Sequence, residues 1–91
     1  MPKFLESHHL RLIAQVARTE SVTRAADLLN VTQSAVSHQL REIEDKLGTP
    51  LFVRLNKRML LTQAGERLLA AARVTLSGLE RAEDDIRQIA L

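Results

Sequence analysis

The sequence has no cysteine, no tryptophan and no tyrosine, and its only aromatic residues are Phe4 and Phe52. Without cysteine there are no disulfide staples and no thiolate metal sites. Two aromatic rings in 91 residues are too few for single-stranded nucleic-acid binding by base stacking, which needs aromatic platforms. Long hydrophobic runs are missing too. None of them approaches the length of a membrane span, and the N-terminus does not read as a secretory leader. The expected compartment is the cytoplasm, with no membrane partner.

Catalytic signatures are also lacking. The three histidines, His8, His9 and His38, have no glutamate at ligand spacing. Adjacent His8 and His9 are expected on different faces of a helix, which argues against a metal site. There is no nucleophile–base constellation, glycine-rich phosphate loop or carboxylate pair. Glu83-Asp84-Asp85 reads as a solvated helical face. The expectation is therefore no enzyme, no metal and no cofactor.

What remains is a small chain of ordinary globular balance, 45% hydrophobic and 26% charged. A chain this short builds a simple fold or leans on a partner. Its net charge is only +2, but the charge is unevenly spread. From Met1 to Leu61 nine Lys/Arg face six Asp/Glu, and from Thr62 to Leu91 four face five. Between Lys46 and Arg58 there are four basic residues and no acid. Such a stretch fits contact with a polyanion, although a solvated basic loop would read the same way.

Turn signals divide the chain into five pieces. Ser7 reads as the N-cap of a first helix with an apolar stripe at Leu10, Ile13, Ala14 and Ala17. Ser21 reads as the next N-cap, before a short helix with Val22, Ala25, Ala26 and Leu29 inward. Asn30 suits the left-handed residue that ends it. Thr32 caps a third helix with Val36, Leu40, Ile43 and Leu47 inward, and Gly48 stops it. Pro50 prevents continuation. Leu51-Phe52-Val53 and Met59-Leu60-Leu61 read as a hairpin around a basic tip, Asn56-Lys57-Arg58. Thr62 then caps a long helix to about Ile89, weakened slightly by Gly65 and Gly78.

Two short helices a few residues apart, with small Ala25 and Ala26 where they meet, suit the close steep crossing of a helix-turn-helix. An ordinary three-helix bundle is the competing reading. The third helix exposes Gln33, Ser34, Ser37, His38 and Arg41 at helical spacing, without a carboxylate among them. A helix entering a major groove presents its N-terminal residues to base edges. Gln, Ser and His carry the donors and acceptors for that contact. A plain solvated face is the bland alternative. Thr23 and Arg24, in the first turn of the second helix, suit an anion. Ser21 and Thr32 read first as caps, though a hydroxyl can serve both purposes. Arg54, Lys57 and Arg58 could reach the DNA backbone or minor groove.

These residues resemble the DNA-binding domain of the LysR-type transcriptional regulators. The resemblance lies in Ser21-Val22-Thr23-Arg24-Ala25-Ala26 with Leu29, in Thr32-Gln33-Ser34-Ala35-Val36-Ser37, and in Ile43-Glu44-Asp45-Lys46-Leu47-Gly48. Leu51-Phe52-Val53-Arg54 and Leu61-Thr62-Gln63-Ala64-Gly65 complete it. It implies a mainly α fold: a winged helix-turn-helix with a small β-hairpin wing and a long C-terminal linker helix that dimerises. Residues 1–62 would be the DNA-binding domain and 63–91 the linker helix, with the family's effector-binding domain absent. Residues 33–47 would enter the major groove, and the wing, 51–61, would lie on the backbone or minor groove.

By the family's pattern Gln33, Ser34, Ser37 and His38 are groove-facing, and Arg41 extends that face. Thr23, Arg24 and Arg54 match backbone-contact positions; Thr32, Lys57 and Arg58 are added as further backbone contacts. The chain departs from the pattern at Glu20, commonly Gly, and Val22, commonly Phe. It departs again at Ser34, where Pro is frequent, and at His38, where Arg or Gln is frequent. The run Gln33-Ser34-Ala35-Val36-Ser37-His38-Gln39 is similar to the methionine-biosynthesis branch, whose co-inducer is homocysteine. A co-inducer would bind the absent effector domain, so no cofactor is expected here.

In the last helix Ala72, Leu79 and Ile86 recur every seven residues, as do Leu68, Thr75, Ala82 and Ile89. That is an a/d seam over about three heptads. Leu68 and Leu69 would serve the chain's own core. Beyond Leu76 the helix should outrun the body and need a two-fold partner. The expected partners are thus double-stranded DNA with a partly palindromic site, and a second copy of the chain, with a tetramer possible in a longer one. By the resemblance, the linker helices pair antiparallel. A winged-helix protein-assembly module without DNA binding is the rival reading.

Overall fold

Three helices, a hairpin and a fourth, longer helix follow one another along the chain. The computed structural model describes residues 3–91. Helix α1 spans Ser7–Thr19, α2 Val22–Leu29 and α3 Gln33–Leu47; strands β1 (Phe52–Leu55) and β2 (Arg58–Leu61) pair, and α4 runs Gln63–Ala90. This is the mainly α, winged helix-turn-helix architecture with a long C-terminal helix that the sequence predicts.

Local capping chemistry sets most boundaries. The Ser21 hydroxyl accepts from the Arg24 N–H, Thr32 from Ala35 and Thr62 from Gly65. Asn30 ends α2 at φ 57° and Gly48 ends α3 at φ 77°, both left-handed. The first boundary differs from expectation. Glu6, not Ser7, is the N-cap of α1, and its N–H donates to His9 Nδ1 at 3.0 Å. The His9 ring therefore supplies a partner that a serine cap would not.

The core comprises Leu12, Ile13 and Val16 of α1, Val22, Ala25 and Ala26 of α2, Val36, Leu40 and Ile43 of α3, and Leu51 and Phe52. The buried face of α1 is rotated from the expected stripe by about one residue, ~100°. Leu12 and Val16 are inside, whereas Leu10 and Ala14 are only half-buried. The reason is that α1 packs against α2, α3 and α4 together, so several neighbours define its inner arc. Leu47, expected inward, is exposed at the end of α3.

Ala25 and Ala26 are fully enclosed, as the close approach of α2 to α3 requires. Between α3 and β1 the chain is fastened by Glu44. Its carboxylate accepts from the N–H groups of Leu51 at 2.6 Å and Phe52 at 3.3 Å. Nothing local in the sequence distinguishes Glu44 from a solvated surface carboxylate.

The hairpin is antiparallel, with Phe52 opposite Leu61, Arg54 opposite Met59 and Leu55 opposite Arg58. Its turn is two residues long. Asn56 and Lys57 have φ 52° and 63°, the paired positive angles of a type I′ turn. Arg58 therefore belongs to β2 and not to the tip.

Helix α4 begins inside the body, where Gly65, Leu69 and Ala72 are buried. From Ser77 to Leu91 every residue is exposed. Eighteen residues beyond Ala72 carry the helix about 27 Å outward at 1.5 Å each, which accounts for much of the 49 Å longest dimension.

Candidate nucleic-acid interface

The N-terminal half of α3 lies on the outer face of the molecule because the opposite side of the helix supplies Val36, Leu40 and Ile43 to the core. Helical periodicity then turns Gln33, Ser34, Ser37, His38 and Arg41 outward together. They line one open depression. Gln33, Ser34, His38 and Arg41 are exposed and Ser37 is half-buried. The face offers amide, hydroxyl, imidazole and guanidinium groups without a hydrophobic side chain among them.

One carboxylate approaches this face. Contrary to the expectation that no glutamate stands at ligand spacing from a histidine, Glu42 follows His38 by four residues and reaches back one turn to lie 3.8 Å from its Nε2. The acid-free stretch from Gln33 to Arg41 thus ends at a side chain leaning toward it, so His38 meets a ligand from a partly negative border.

A second depression is lined by Thr19, Glu20, Ser21, Arg24, Lys57 and Arg58. The fold brings the first turn of α2 beside the hairpin tip, uniting cations remote in sequence. Thr23 and Arg24 are exposed in that first turn. Arg54 is exposed on β1 and Lys57 in the turn. Thr32 is exposed, and its hydroxyl oxygen caps α3.

Two residues of the basic stretch are already engaged. Lys46 Nζ stands 5.2 Å from the centre of the Phe4 ring, a cation–π contact near the end of α3 opposite Gln33. The basic stretch from Lys46 to Arg58 is therefore not one surface. Arg58 is held by Glu20 through Nε at 2.9 Å and Nη2 at 2.8 Å. Neither contact has local spacing; the only signal in the sequence is an acid at Glu20, where glycine is common in the family it resembles.

At the other end of the body, His8 and His9 do not diverge as expected. Their ring centroids are 4.1 Å apart, because both rings turn back toward Glu6. Burial, reinforced by repulsion from His8, lowers the His9 pKa below its usual value; Lys46 acts in the same direction, while Glu6 and Glu42 oppose the shift. Among the described residues no group of three or more His, Cys, Asp or Glu side chains could hold a metal ion. No helix among them is long and apolar enough to cross a membrane.

On α4 the heptad positions divide in two. Ala72 is fully buried against the chain's own body and Leu68 packs on the core. Thr75 is exposed, and its hydroxyl donates to the Ala71 carbonyl at 2.9 Å. Leu79, Ala82, Ile86 and Ile89 are exposed, Ile86 at 62% and Ile89 at 83%. Val74, outside the seam, is exposed at 74%.

Comparison with known proteins gives one consistent result. Residues 7–66 match the family described as "Bacterial regulatory helix-turn-helix protein, lysR family". The chain is 40% identical over 88 residues to the HTH-type transcriptional regulator MetR of Haemophilus influenzae, covering 97% of this chain and 28% of that protein. It is 43% identical over 83 residues to the regulator YofA of Bacillus subtilis, covering 91% of this chain and 29% of that one. The chain thus spans less than a third of the length of these curated relatives. The similar identity to both leaves the methionine branch as one resemblance among several.

Among solved structures, the BenM DNA-binding domain in complex with benA site 1 DNA superposes with a TM-score of 0.86 at 30% identity, covering 94% of this chain and 97% of that one. The CbnR DNA-binding domain in complex with DNA gives 0.82 at 31% identity, covering 96% and 100%.

Proposed function

Because the chain belongs to the lysR family of bacterial regulatory helix-turn-helix proteins, we propose that it reads double-stranded DNA for a transcriptional regulator. The observation that carries this reading is the outward face of α3, with five polar or basic side chains gathered in one depression. Gln33, Ser34, Ser37, His38 and Arg41 meet base edges in the major groove. Thr23, Arg24, Thr32, Arg54 and Lys57 meet phosphates and fix the register. Arg58 stands beside them. Two solved relatives of the same fold, BenM and CbnR, are DNA complexes, which supports the reading.

A second copy of the chain pairs along the distal part of α4, where Leu79, Ile86 and Ile89 are otherwise left in water. A two-fold dimer then presents two α3 helices to a partly palindromic site. In a longer chain such dimers could assemble into tetramers. No residue is assigned a catalytic role, and DNA contact requires no cofactor. A small-molecule co-inducer belongs, in this reading, to an effector-binding part of a longer regulator.

Duplex titration at two salt concentrations tests the proposal. Displaced counterions drive part of the affinity, so a surface neutralising six phosphates loses about a thousandfold between roughly 50 and 200 mM salt. Binding that is absent, or flat with salt, would point to a protein-assembly module instead.

A further inference from the structure

Glu20 sits at a position that disfavours it. Its backbone is left-handed, φ 56° and ψ 25°, a conformation that glycine adopts freely and a side chain with a Cβ resists. The residue is nevertheless tied to the wing through three hydrogen bonds. Its carbonyl oxygen accepts from the Met59 N–H at 2.9 Å. Its two carboxylate oxygens accept from Arg58 Nε and Nη2 at 2.9 and 2.8 Å. This is the fork-to-fork geometry with which a guanidinium also grips a phosphate. The pair lies in the depression shared with Arg24 and Lys57.

We propose that Glu20 tunes the sequence-independent part of the DNA affinity: its carboxylate occupies the Arg58 fork in place of a phosphate and withholds that cation from the DNA backbone. The inference rests on the DNA-reading function proposed above. Phosphate contacts strengthen binding to every sequence, whereas the groove face of α3 strengthens it only on the right one. A surface cation neutralised by its neighbouring carboxylate therefore lowers the affinity for random and selected sequences alike and leaves base readout intact. The same clasp holds β2 against the end of α1, which keeps Lys57 beside Arg24.

The test compares the full wild-type chain with Glu20→Gln, Arg58→Ala and the double variant. Each is titrated with a random-sequence duplex and with a duplex selected from a random library, over a range of salt. Glu20→Gln should bind the random duplex several-fold more tightly, with a salt slope steeper by about one unit. The selected duplex should gain by the same factor, so the ratio of selected to random affinity should stay near its wild-type value. Arg58→Ala in the wild-type background should leave the slope almost unchanged, and in the Glu20→Gln background it should remove the gain.

An unchanged random-duplex affinity in Glu20→Gln would overturn the proposal. So would a full-unit loss of slope in Arg58→Ala alone, since Arg58 would then already be gripping phosphate. Wild-type chain that binds neither duplex would instead overturn the DNA-reading function and the inference with it. Glu20→Gly, which relieves the backbone conformation, checks that the gain follows the lost charge and not a damaged fold. It should match Glu20→Gln in slope; a wild-type slope in Glu20→Gly would count against the proposal.

Discussion

The carbonyl oxygen of Leu51 occupies the place where a side chain on Gly65 would have to begin. That carbonyl cannot simply swing aside, because it accepts the Thr62 N–H at 2.9 Å. A Cβ on Gly65 would also meet Leu61 Cδ2 at 2.9 Å. Gly65 therefore lets the start of α4 lie against the segment that enters the hairpin, and the position of the wing depends on it.

Gly65→Ala should destabilise the chain by about 1–3 kcal/mol, the usual range for forcing extra atoms into a packed site. Gly78 is the control, since a Cβ there meets nothing within 4 Å. Gly78→Ala should instead favour the helix by up to about 1 kcal/mol. Urea unfolding of the two variants should move in opposite directions. Equal shifts would mean that the close approach at Leu51 has no energetic weight.

Base-reading and phosphate-holding residues should separate in binding measurements. Ser37→Ala and His38→Ala should each reduce the preference for a selected duplex, by about 1–3 kcal/mol where the lost contact is of bidentate quality. Random-duplex binding should change little. Arg54→Ala should weaken both duplexes alike and make the salt slope shallower by about one unit. If all three variants lower both affinities by the same factor, the division of roles between α3 and the wing is wrong.

The fold is legible in the sequence where its causes are local. Ser21, Thr32 and Thr62 cap helices whose first-turn N–H groups are only three residues away, and Asn30 and Gly48 end helices through their own backbone angles. The small Ala25 and Ala26 of α2, beside the larger inward Val36 and Leu40 of α3, likewise announce their packing. The face of α1 is not legible in this way, because three helices surround it and the sum of their contacts selects Leu12 and Val16.

Within the candidate site, the outward polar face of α3 follows from helical spacing alone. The pairing of Arg58 with Glu20 does not, since it needs the hairpin folded onto the end of α1. The turn at Asn56-Lys57 decides the matter: one residue fewer in the loop places Arg58 in the strand and within reach of Glu20. Glu44 and Lys46 are similar cases, ordinary surface charges in sequence that the fold assigns to backbone N–H groups and to the Phe4 ring.

Distal α4 should govern the oligomeric state. Leu79 is 44% exposed in the single chain, and Ile86 and Ile89 more so. Leu79→Glu introduces a charge into the apolar seam and should shift the chain toward monomer in sedimentation. Since the distal helix makes no contribution to the core, the monomer should keep its fold and its unfolding midpoint measured at low concentration. An unchanged dimer would place the interface elsewhere, with Val74 as the next exposed apolar residue to test.

The remaining prediction concerns acid. Burial is the main reason that His9 binds a proton less readily than a free histidine, whose pKa is about 6.5. The hydrogen bond from the Glu6 N–H to His9 Nδ1 requires that nitrogen to be unprotonated, so acid also removes the cap of α1. The folded-state pKa therefore lies below the unfolded one, and in the window between them the unfolded chain binds more protons. The contribution of His9 is complete above the unfolded value. It declines as pH falls through that window and is lost below the folded value. The urea midpoint of the wild-type chain should accordingly fall between about pH 7.5 and pH 5. His9→Gln retains a side-chain oxygen that can accept from Glu6 but cannot titrate, so its midpoint should fall less over the same range. His8 and His38 remain in both chains, which makes the difference between the two curves specific to His9; coincident curves would show that the cap carries no pH dependence.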